Sequence, residues 1–390
     1  MEKLMEKNKT SIIFTGDIGF DKYMDKKWED EELISPEIIE FFNSADHVAA
    51  NIEGALISVD ESESRGAFFH AMNPKAVSVF EKMNADIWSL GNNHTTDAGR
   101  EGIESTLNIA KECGCKCFGA GLDIDGASAP LYINEAGGIG IIGVTYMNEC
   151  VPATETECGI FRWDDMERIC ARIKEIKLKC RWCIVVSHGG EEFSSMPNPY
   201  TRDRYIEYLG MGADVVVGHH PHVPENYETF DDGKAIFYSL GNFIFDTDYQ
   251  RVHRYTDTGV LLKLSFDSER MSFEAIGTRI DRNSERIYKD VLPDIFTNVH
   301  SDEYNQIVPL SAKAFIAENK RVMQYLKPDV FLSASEEVWN KYFFGDKTDG
   351  YAKGAHMDLS VIVPLAKQAD SLQWQKSRLT KVKEYILKQL

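Results

Sequence analysis

Gly212-Ala213-Asp214-Val215-Val216-Val217-Gly218-His219-His220-Pro221-His222 is the stretch on which the fold turns. An apolar β-type run, Ala213 to Val217, stops at a glycine and is followed by three histidines within four positions, in a chain that has only ten. In an open α/β sheet the loops after parallel strands converge on one edge, so a strand that ends abruptly and delivers imidazoles there is placed to hold a metal. A loop merely rich in histidine is the competing reading, and the clustering favours the metal site.

Outward from that stretch, strands and helices alternate. Ser11 to Thr15 reads as a strand ending at Gly16-Asp17, and His47 to Ile52 as another ending at Glu53-Gly54. Pro74 to Met83 reads as a helix, Asp86 to Leu90 as a strand, and the segment after Asp97 as a helix with Ile103, Leu107 and Ala110 on one face. Ile139 to Val144 is a strand. Met166, Ile169, Ile173 and Ile176 mark an amphipathic helix, followed by strand Cys183 to Ser187, helix Arg202 to Leu209, strand Asp214 to Val217 and a β-type run from Ala235 to Ile244. Repeated βα units predict an α/β fold, a central sheet with helices on its faces. Gly259 to Phe266 and Ser272 to Ile280 follow one another with no helix between, so the sheet turns antiparallel there. From about Asp290 the character changes: Ala312 to Leu326 and Ser371 to Leu390 are helical in pattern, which divides the chain into a domain over 1–290 and a helical cap or extension over 291–390.

Composition narrows the setting. With 390 residues, 43% hydrophobic and 27% charged, the chain is an ordinary soluble globular protein. A formal net charge of -19 repels nucleic acid and anionic membranes. No window approaches the roughly 20 apolar residues of a membrane span, and Met1 to Thr10 has no signal-peptide core, so a cytoplasmic location is expected. Eight cysteines in a chain of this length do not form a disulfide framework and read as reduced thiols.

Polar residues collect just past the strand ends: Asp17, Glu53, Asn93 with His94, His188, and His220 with His222. Carboxylate, amide oxygen and neutral imidazole together suit Mn²⁺, Fe²⁺ or Zn²⁺, whereas an all-oxygen set would suit Ca²⁺ or Mg²⁺. Each residue alone has a plain structural role open to it, such as a turn cap for Asp17 or a core histidine for His188. Their joint placement is what points to a site.

These residues fall within ordered motifs. Thr15-Gly16-Asp17, Asn51-Ile52-Glu53-Gly54, Leu90-Gly91-Asn92-Asn93-His94 with Asp97-Ala98-Gly99, Gly119-Ala120-Gly121, Ser187-His188-Gly189-Gly190-Glu191-Glu192, the Gly212 to His222 stretch and Tyr238-Ser239-Leu240-Gly241-Asn242-Phe243 resemble the bacterial capsule-synthesis CapA family, linked to poly-γ-glutamate. The resemblance covers roughly residues 10 to 250. It implies a four-layered α/β sandwich similar to the calcineurin-like metallophosphoesterases, with one or two divalent ions. By that likeness Asp17 ligates the first metal, Glu53 bridges, Asn93, His188 and His220 complete the second, and His222 returns to the first, leaving His94 to face the substrate as an acid or electrostatic stabiliser.

Two departures matter. The phosphoesterase pattern begins Asp-x-His, but here Gly19 follows Asp17 by two, so the first metal loses an imidazole; and Glu53 replaces the usual bridging aspartate. The expectation is an intact second site and a weakened first site, with Asn51 available as a substitute oxygen ligand. Arg202, Arg251, His253 and Arg254 follow closely enough to clamp an anionic substrate, although solvated surface charges are an equal reading. Two functions are therefore expected to compete: a soluble metal-dependent hydrolase of the phosphoesterase type acting on an anionic substrate, and a factor for assembly, export or amide-bond processing of a glutamyl polymer. Members of the second kind usually carry an N-terminal membrane anchor, and its absence from this sequence favours the enzyme.

Overall fold

A computed structural model of the chain describes residues 9–58, 69–146, 150–247, 250–251 and 253–307. Two mixed sheets dominate. The first runs Arg286–Asp290, Met271–Asp281, Thr258–Phe266, Thr10–Ile18, His47–Ile52, Ile87–Ser89 and Lys116–Phe118, with Asn242–Ile244 paired to the far end of Thr10–Ile18. The second runs Tyr227–Thr229, Ala235–Phe237, Val215–His219, Trp182–His188, Ile139–Thr145 and Leu131–Ile133. Thr10–Ile18, His47–Ile52 and Ile87–Ser89 are mutually parallel, as are Ile139–Thr145, Trp182–His188 and Val215–His219. Thr258–Phe266 and Met271–Asp281 pair antiparallel, as their lack of an intervening helix predicts.

Side-chain alternation along these strands builds the layers. Ile12 and Phe14 enter a core between the sheets with Ile184, Val186, Val215 and Val217. Ile13 faces the other way, into a core with Ile38 and Phe42 of helix Pro36–Asn43, Val79 and Phe80 of Val77–Lys82, and Ala110 of Gly99–Glu112. Val185 and Val216 back onto Ile169, Ile173 and Ile176 of helix Met166–Lys179 and Tyr205, Tyr208 and Leu209 of Pro199–Met211. The result is helix, sheet, sheet, helix: the four-layered α/β sandwich that the resemblance implies. Each branched aliphatic side chain buried this way contributes about 1.5–3 kcal/mol, and both faces of both sheets supply them.

The observed elements differ from the sequence reading in places. The apolar run Ala235 to Ile244 is two strands in different sheets, because the chain crosses between layers at Tyr238 to Gly241; Tyr238 lies in the core under the second sheet's helices, while Phe243 reaches the core under the first sheet's. The Pro74 to Met83 helix opens with a tight 3₁₀ turn, Pro74–Ala76, capped by Asn73, before Val77–Lys82. The helix placed at Arg202 begins earlier, at Pro199, where proline suits the first turn and the Asn198 side chain accepts from Thr201 N at 3.0 Å. Of the proposed 291–390 extension, residues 301–307 are helical and Tyr304 donates its hydroxyl to the Pro197 carbonyl at 2.6 Å. The expected helices Ala312 to Leu326 and Ser371 to Leu390 lie outside the described residues. All eight cysteines are free thiols.

Candidate metal centre

Parallel strand ends from both sheets meet at one edge. Asp17 sits at the end of Thr10–Ile18, Glu53 directly follows His47–Ile52, and Asn93 and His94 lie in the loop after Ile87–Ser89. Across from them, His188 ends Trp182–His188, and His220 and His222 follow Val215–His219. Asp17 and Glu53 are fully buried, and Asn93, His94, His188, His220 and His222 are each at most 5% exposed. Ligand atoms of Asp17, Glu53 and His188 all lie within 4.8 Å of one another.

The other predicted residues close around these three. His222 Nδ1 lies 3.2 Å from Asp17 Oδ2 and its Nε2 lies 3.5 Å from Glu53 Oε1, while His188 Nε2 is 3.8 Å from the same glutamate oxygen and 2.8 Å from Asn93 Oδ1. The His220 ring stands 5.0 Å from that of His188 and 6.2 Å from that of His222. Both His220 and His222 hold positive φ, 98° and 58°. Non-glycine residues are strained there, and strain of this kind persists where the surrounding fold dictates a side chain's aim. His219, the remaining histidine of the cluster, turns away: its Nε2 meets the Thr15 carbonyl at 2.8 Å and ties the two sheets together.

The electrostatics of this cluster call for positive charge. Burial pushes the Asp17 carboxyl up, but the hydrogen bond and charge of His222, with His188 and His219 behind it, hold it well below the usual carboxylate range. Burial pulls His222 down, and Glu53 and Asp17 outweigh it and push the ring up to about 9. Two buried carboxylates thus take their countercharge from a proton on His222, a charge that a divalent cation supplies in its place. His188 is driven far below its ordinary value by burial and by His220, which leaves the neutral imidazole a metal requires. Asn51 Oδ1 and His188 Nδ1 are buried acceptor-capable atoms without a hydrogen-bond partner. Orphaned atoms of this kind, on side chains of a buried carboxylate and imidazole cluster, fit a site that could hold a metal ion.

Position 19 leaves no room for a side chain. A Cβ on Gly19 would sit 2.6 Å from two ring carbons of Phe245, whose ring stacks on His222 at 5.0 Å. An aromatic ring occupies the space that a histidine at position 19 would need.

Comparison with known proteins bears directly on this edge. Residues 11–247 match the family described as bacterial capsule synthesis protein PGA_cap, a span that contains every residue named in the cluster. The chain belongs to this family. Among relatives, the PGA biosynthesis protein CapA of Bacillus subtilis (strain 168) is 31% identical over 247 residues, 62% of this chain and 64% of that one, so the match spans somewhat under two thirds of that relative's length. The capsule biosynthesis protein CapA of Bacillus anthracis is 24% identical over 312 residues, 75% of each. A solved structure, that of the TT1561 protein of Thermus thermophilus, aligns over 68% of this chain and 98% of its own with a TM-score of 0.38 and 10% identity. The fold assignment rests on the four layers described above.

Within this PGA_cap chain the sequence-predicted periphery is only partly at the site. Asn51 is: its Nδ2 donates to Asp17 Oδ1 at 2.8 Å. Arg202 is not available as a substrate clamp, because its guanidinium forks onto buried Glu228 at 2.5 and 2.8 Å and onto Ser301 Oγ at 2.8 Å. Arg251 is likewise engaged, with Asp246 Oδ2 at 2.7 Å and its guanidinium over the Tyr23 ring at 3.2 Å. Arg254 is exposed, and His253 is buried in a stack on Phe193 with ring centroids 3.8 Å apart. Sequence reading named Asn242 and Asp97 within motifs without giving them a role, and did not name His70. Asp97 Oδ2 lies 2.9 Å from His94 Nδ1, a pairing that the three-residue spacing after His94 made findable. His70 arrives through a long-range crossing and carries no local signal, whereas Asn242 falls in the Tyr238 to Phe243 motif. Among the described residues, no helix is long and apolar enough to cross a membrane.

Proposed function

We propose that this chain is a metal-dependent hydrolase of the phosphoesterase type acting on an anionic substrate within capsule polymer metabolism. The observation that carries the reading is the convergence of Asp17, Glu53 and His188 ligand atoms within 4.8 Å in a fully buried setting. Asp17, Glu53, Asn93, His188, His220 and His222 would hold one or two divalent ions, Mn, Fe or Zn. A bound divalent ion lowers the pKa of water to about 7 in favourable sites and polarises the oxygen under attack.

The remaining chemistry belongs to the side chains. Asp97 engages His94 at Nδ1, at 2.9 Å, which fixes the tautomer and turns Nε2 inward, 4.0 Å from Glu53 Oε1. Protonated on both nitrogens, the His94 ring would release its Nε2 proton to the departing oxygen or stabilise charge on it. Asn93 Nδ2, 3.0 Å from that same nitrogen, holds the ring in place between substrate and ligands. Near-complete burial excludes bulk water from the histidines and strengthens each of these interactions.

The kinship with the Bacillus subtilis PGA biosynthesis protein carries a second reading, in which the anion is a glutamyl polymer and the bond processed is an amide. One experiment separates the two. Mn²⁺-loaded protein is assayed on p-nitrophenyl phosphate and bis-p-nitrophenyl phosphate, and separately on poly-γ-glutamate with chain length read by gel, for wild type and His220→Ala. Metal-stimulated ester hydrolysis lost in His220→Ala supports the phosphoesterase. Polymer shortening without ester hydrolysis supports amide processing, and ester hydrolysis unchanged in the variant overturns this site.

A further inference from the structure

A second aspartate–histidine pair faces His94. His70 Nδ1 lies 2.6 Å from Asp21 Oδ2, and the His70 ring meets the His94 ring edge to face with centroids 4.1 Å apart. The His70 backbone N–H also donates to Asp97 Oδ2 at 2.8 Å, the oxygen that His94 Nδ1 contacts. Four side chains from three separate segments thus form one continuous arrangement, Asp21, His70, His94 and Asp97, at the edge where the ligands collect.

The fold goes to some length to place His70 there. It immediately precedes Ala71–Met72, which pairs parallel with Ala55–Leu56 in a two-stranded sheet that belongs to neither large one. That pairing draws the backbone of His70 against Gly54, the neighbour of Glu53. Gly54 has φ of 124°, and a Cβ there would lie 2.9 Å from the His70 carbonyl oxygen, so the approach needs glycine. Phe245 closes the other side of the His70 ring at 5.2 Å. His70 is 7% exposed, beside the most solvent-shielded part of the site. With Nδ1 engaged by Asp21, Nε2 is the nitrogen left to meet a ligand, the same division of labour that Asp97 imposes on His94.

We propose that His70 is a second substrate-contacting imidazole, acting with His94 as a two-histidine clamp on the oxyanion of a phosphoryl-type group, and that Asp21 is its positioning residue. The proposal rests on the hydrolase reading of the cleft. In it His70, with a proton on each ring nitrogen, donates Nε2–H to a non-bridging or departing oxygen while Nδ1–H stays on Asp21, an interaction that neither the metal ligands nor His94 supply.

The test measures binding of inorganic phosphate to the Mn²⁺-loaded protein by calorimetry, alongside KM and kcat for p-nitrophenyl phosphate, Mn²⁺ content and melting temperature. Two substitutions separate roles: His70→Phe keeps a ring against His94 and Phe245 but has no nitrogen, and His70→Gln keeps a polar group without the ring. The expected result is phosphate affinity lower by roughly ten- to hundredfold in His70→Phe, with a raised KM and unchanged Mn²⁺ content. Asp21→Asn weakens phosphate binding in the same direction and to a smaller extent. Wild-type phosphate affinity in His70→Phe shows that the ring merely packs and overturns the proposal, leaving the hydrolase reading intact. A wild type that binds Mn²⁺ but neither binds phosphate nor cleaves ester overturns the hydrolase reading and this proposal with it.

Discussion

Asn242 Oδ1 lies 2.9 Å from Nδ1 of His222. The amide nitrogen of Asn242 donates to the Thr256 carbonyl at 2.9 Å and to Gln250 Oε1 at 3.1 Å, so its oxygen must face the histidine and accept from Nδ1–H. That fixes His222 with Nε2 directed at Glu53, 3.5 Å away. Outer partners that orient a ligand histidine are worth 10- to 100-fold in metal affinity as an order of magnitude. Asn242→Ala is therefore expected to weaken Mn²⁺ binding by about that factor, read by calorimetric titration, while the fold is retained. Equal affinity in the two proteins would remove His222 from the ligand set.

The Phe245 ring stands where a side chain on Gly19 would go. Gly19→Ala alone forces that contact in a well-packed region and should cost about 1–3 kcal/mol, measured by chemical denaturation. Gly19→His combined with Phe245→Ala supplies the imidazole and the room for it. Wild-type protein is expected to retain close to one tightly bound divalent ion by elemental analysis, and the double variant to gain a second. Two tight ions in wild type would show that Asp17, Glu53 and Asn51 complete the first position without an imidazole.

Much of this edge was legible in the sequence for a simple reason. A parallel strand buried on both faces reads as an apolar run, and the polar residue that stops it marks the sheet edge, so Asp17, Glu53, His188 and His220 announced themselves. Asn242 was visible within a motif but its role was not, because the run Ala235 to Ile244 is equally apolar on both sides of the point where it changes sheets. His70 was hidden for a related reason: Ala71–Met72 is two residues long, too short for any periodicity, and its partner Ala55–Leu56 is set by long-range packing. Arg202 shows the converse error. Its charge was visible, but the buried carboxylate that claims it, Glu228, lies 26 residues on, and proximity of that kind is a tertiary fact.

That ion pair makes its own prediction. Arg202 grips Glu228 bidentately through Nε and Nη2, the Glu228 side chain is 2% exposed, and the Tyr238 hydroxyl donates to the same carboxylate at 2.8 Å. Arg202→Ala leaves a buried carboxylate without its countercharge, which costs about 3–5 kcal/mol. The loss should show in the denaturation midpoint, with KM for an anionic ester unchanged at a temperature where the variant is folded. A raised KM with unchanged stability would return Arg202 to the substrate.

Glu191 sets an expectation for pH. Burial pushes its carboxyl up to about 8, against the ordinary value near 4.3 for an unfolded glutamate, while hydrogen bonding from the Asn198 backbone N–H partly opposes the rise. Between those two values the folded chain holds a proton that the unfolded chain has released, so this group makes stability fall as pH rises from about 4.3 to about 8 and stay level beyond. Glu191→Gln keeps a neutral side chain beside Asn198 at every pH and removes the dependence. Compared by urea denaturation, the variant should match wild type near pH 4 and exceed it near pH 9 by an amount on the order of a few kcal/mol. The gap opens because the wild-type curve drops as Glu191 ionises among buried neighbours, the variant having nothing there to ionise. Parallel curves across that range would mean that the carboxylate is stabilised in the fold as well as it is in water.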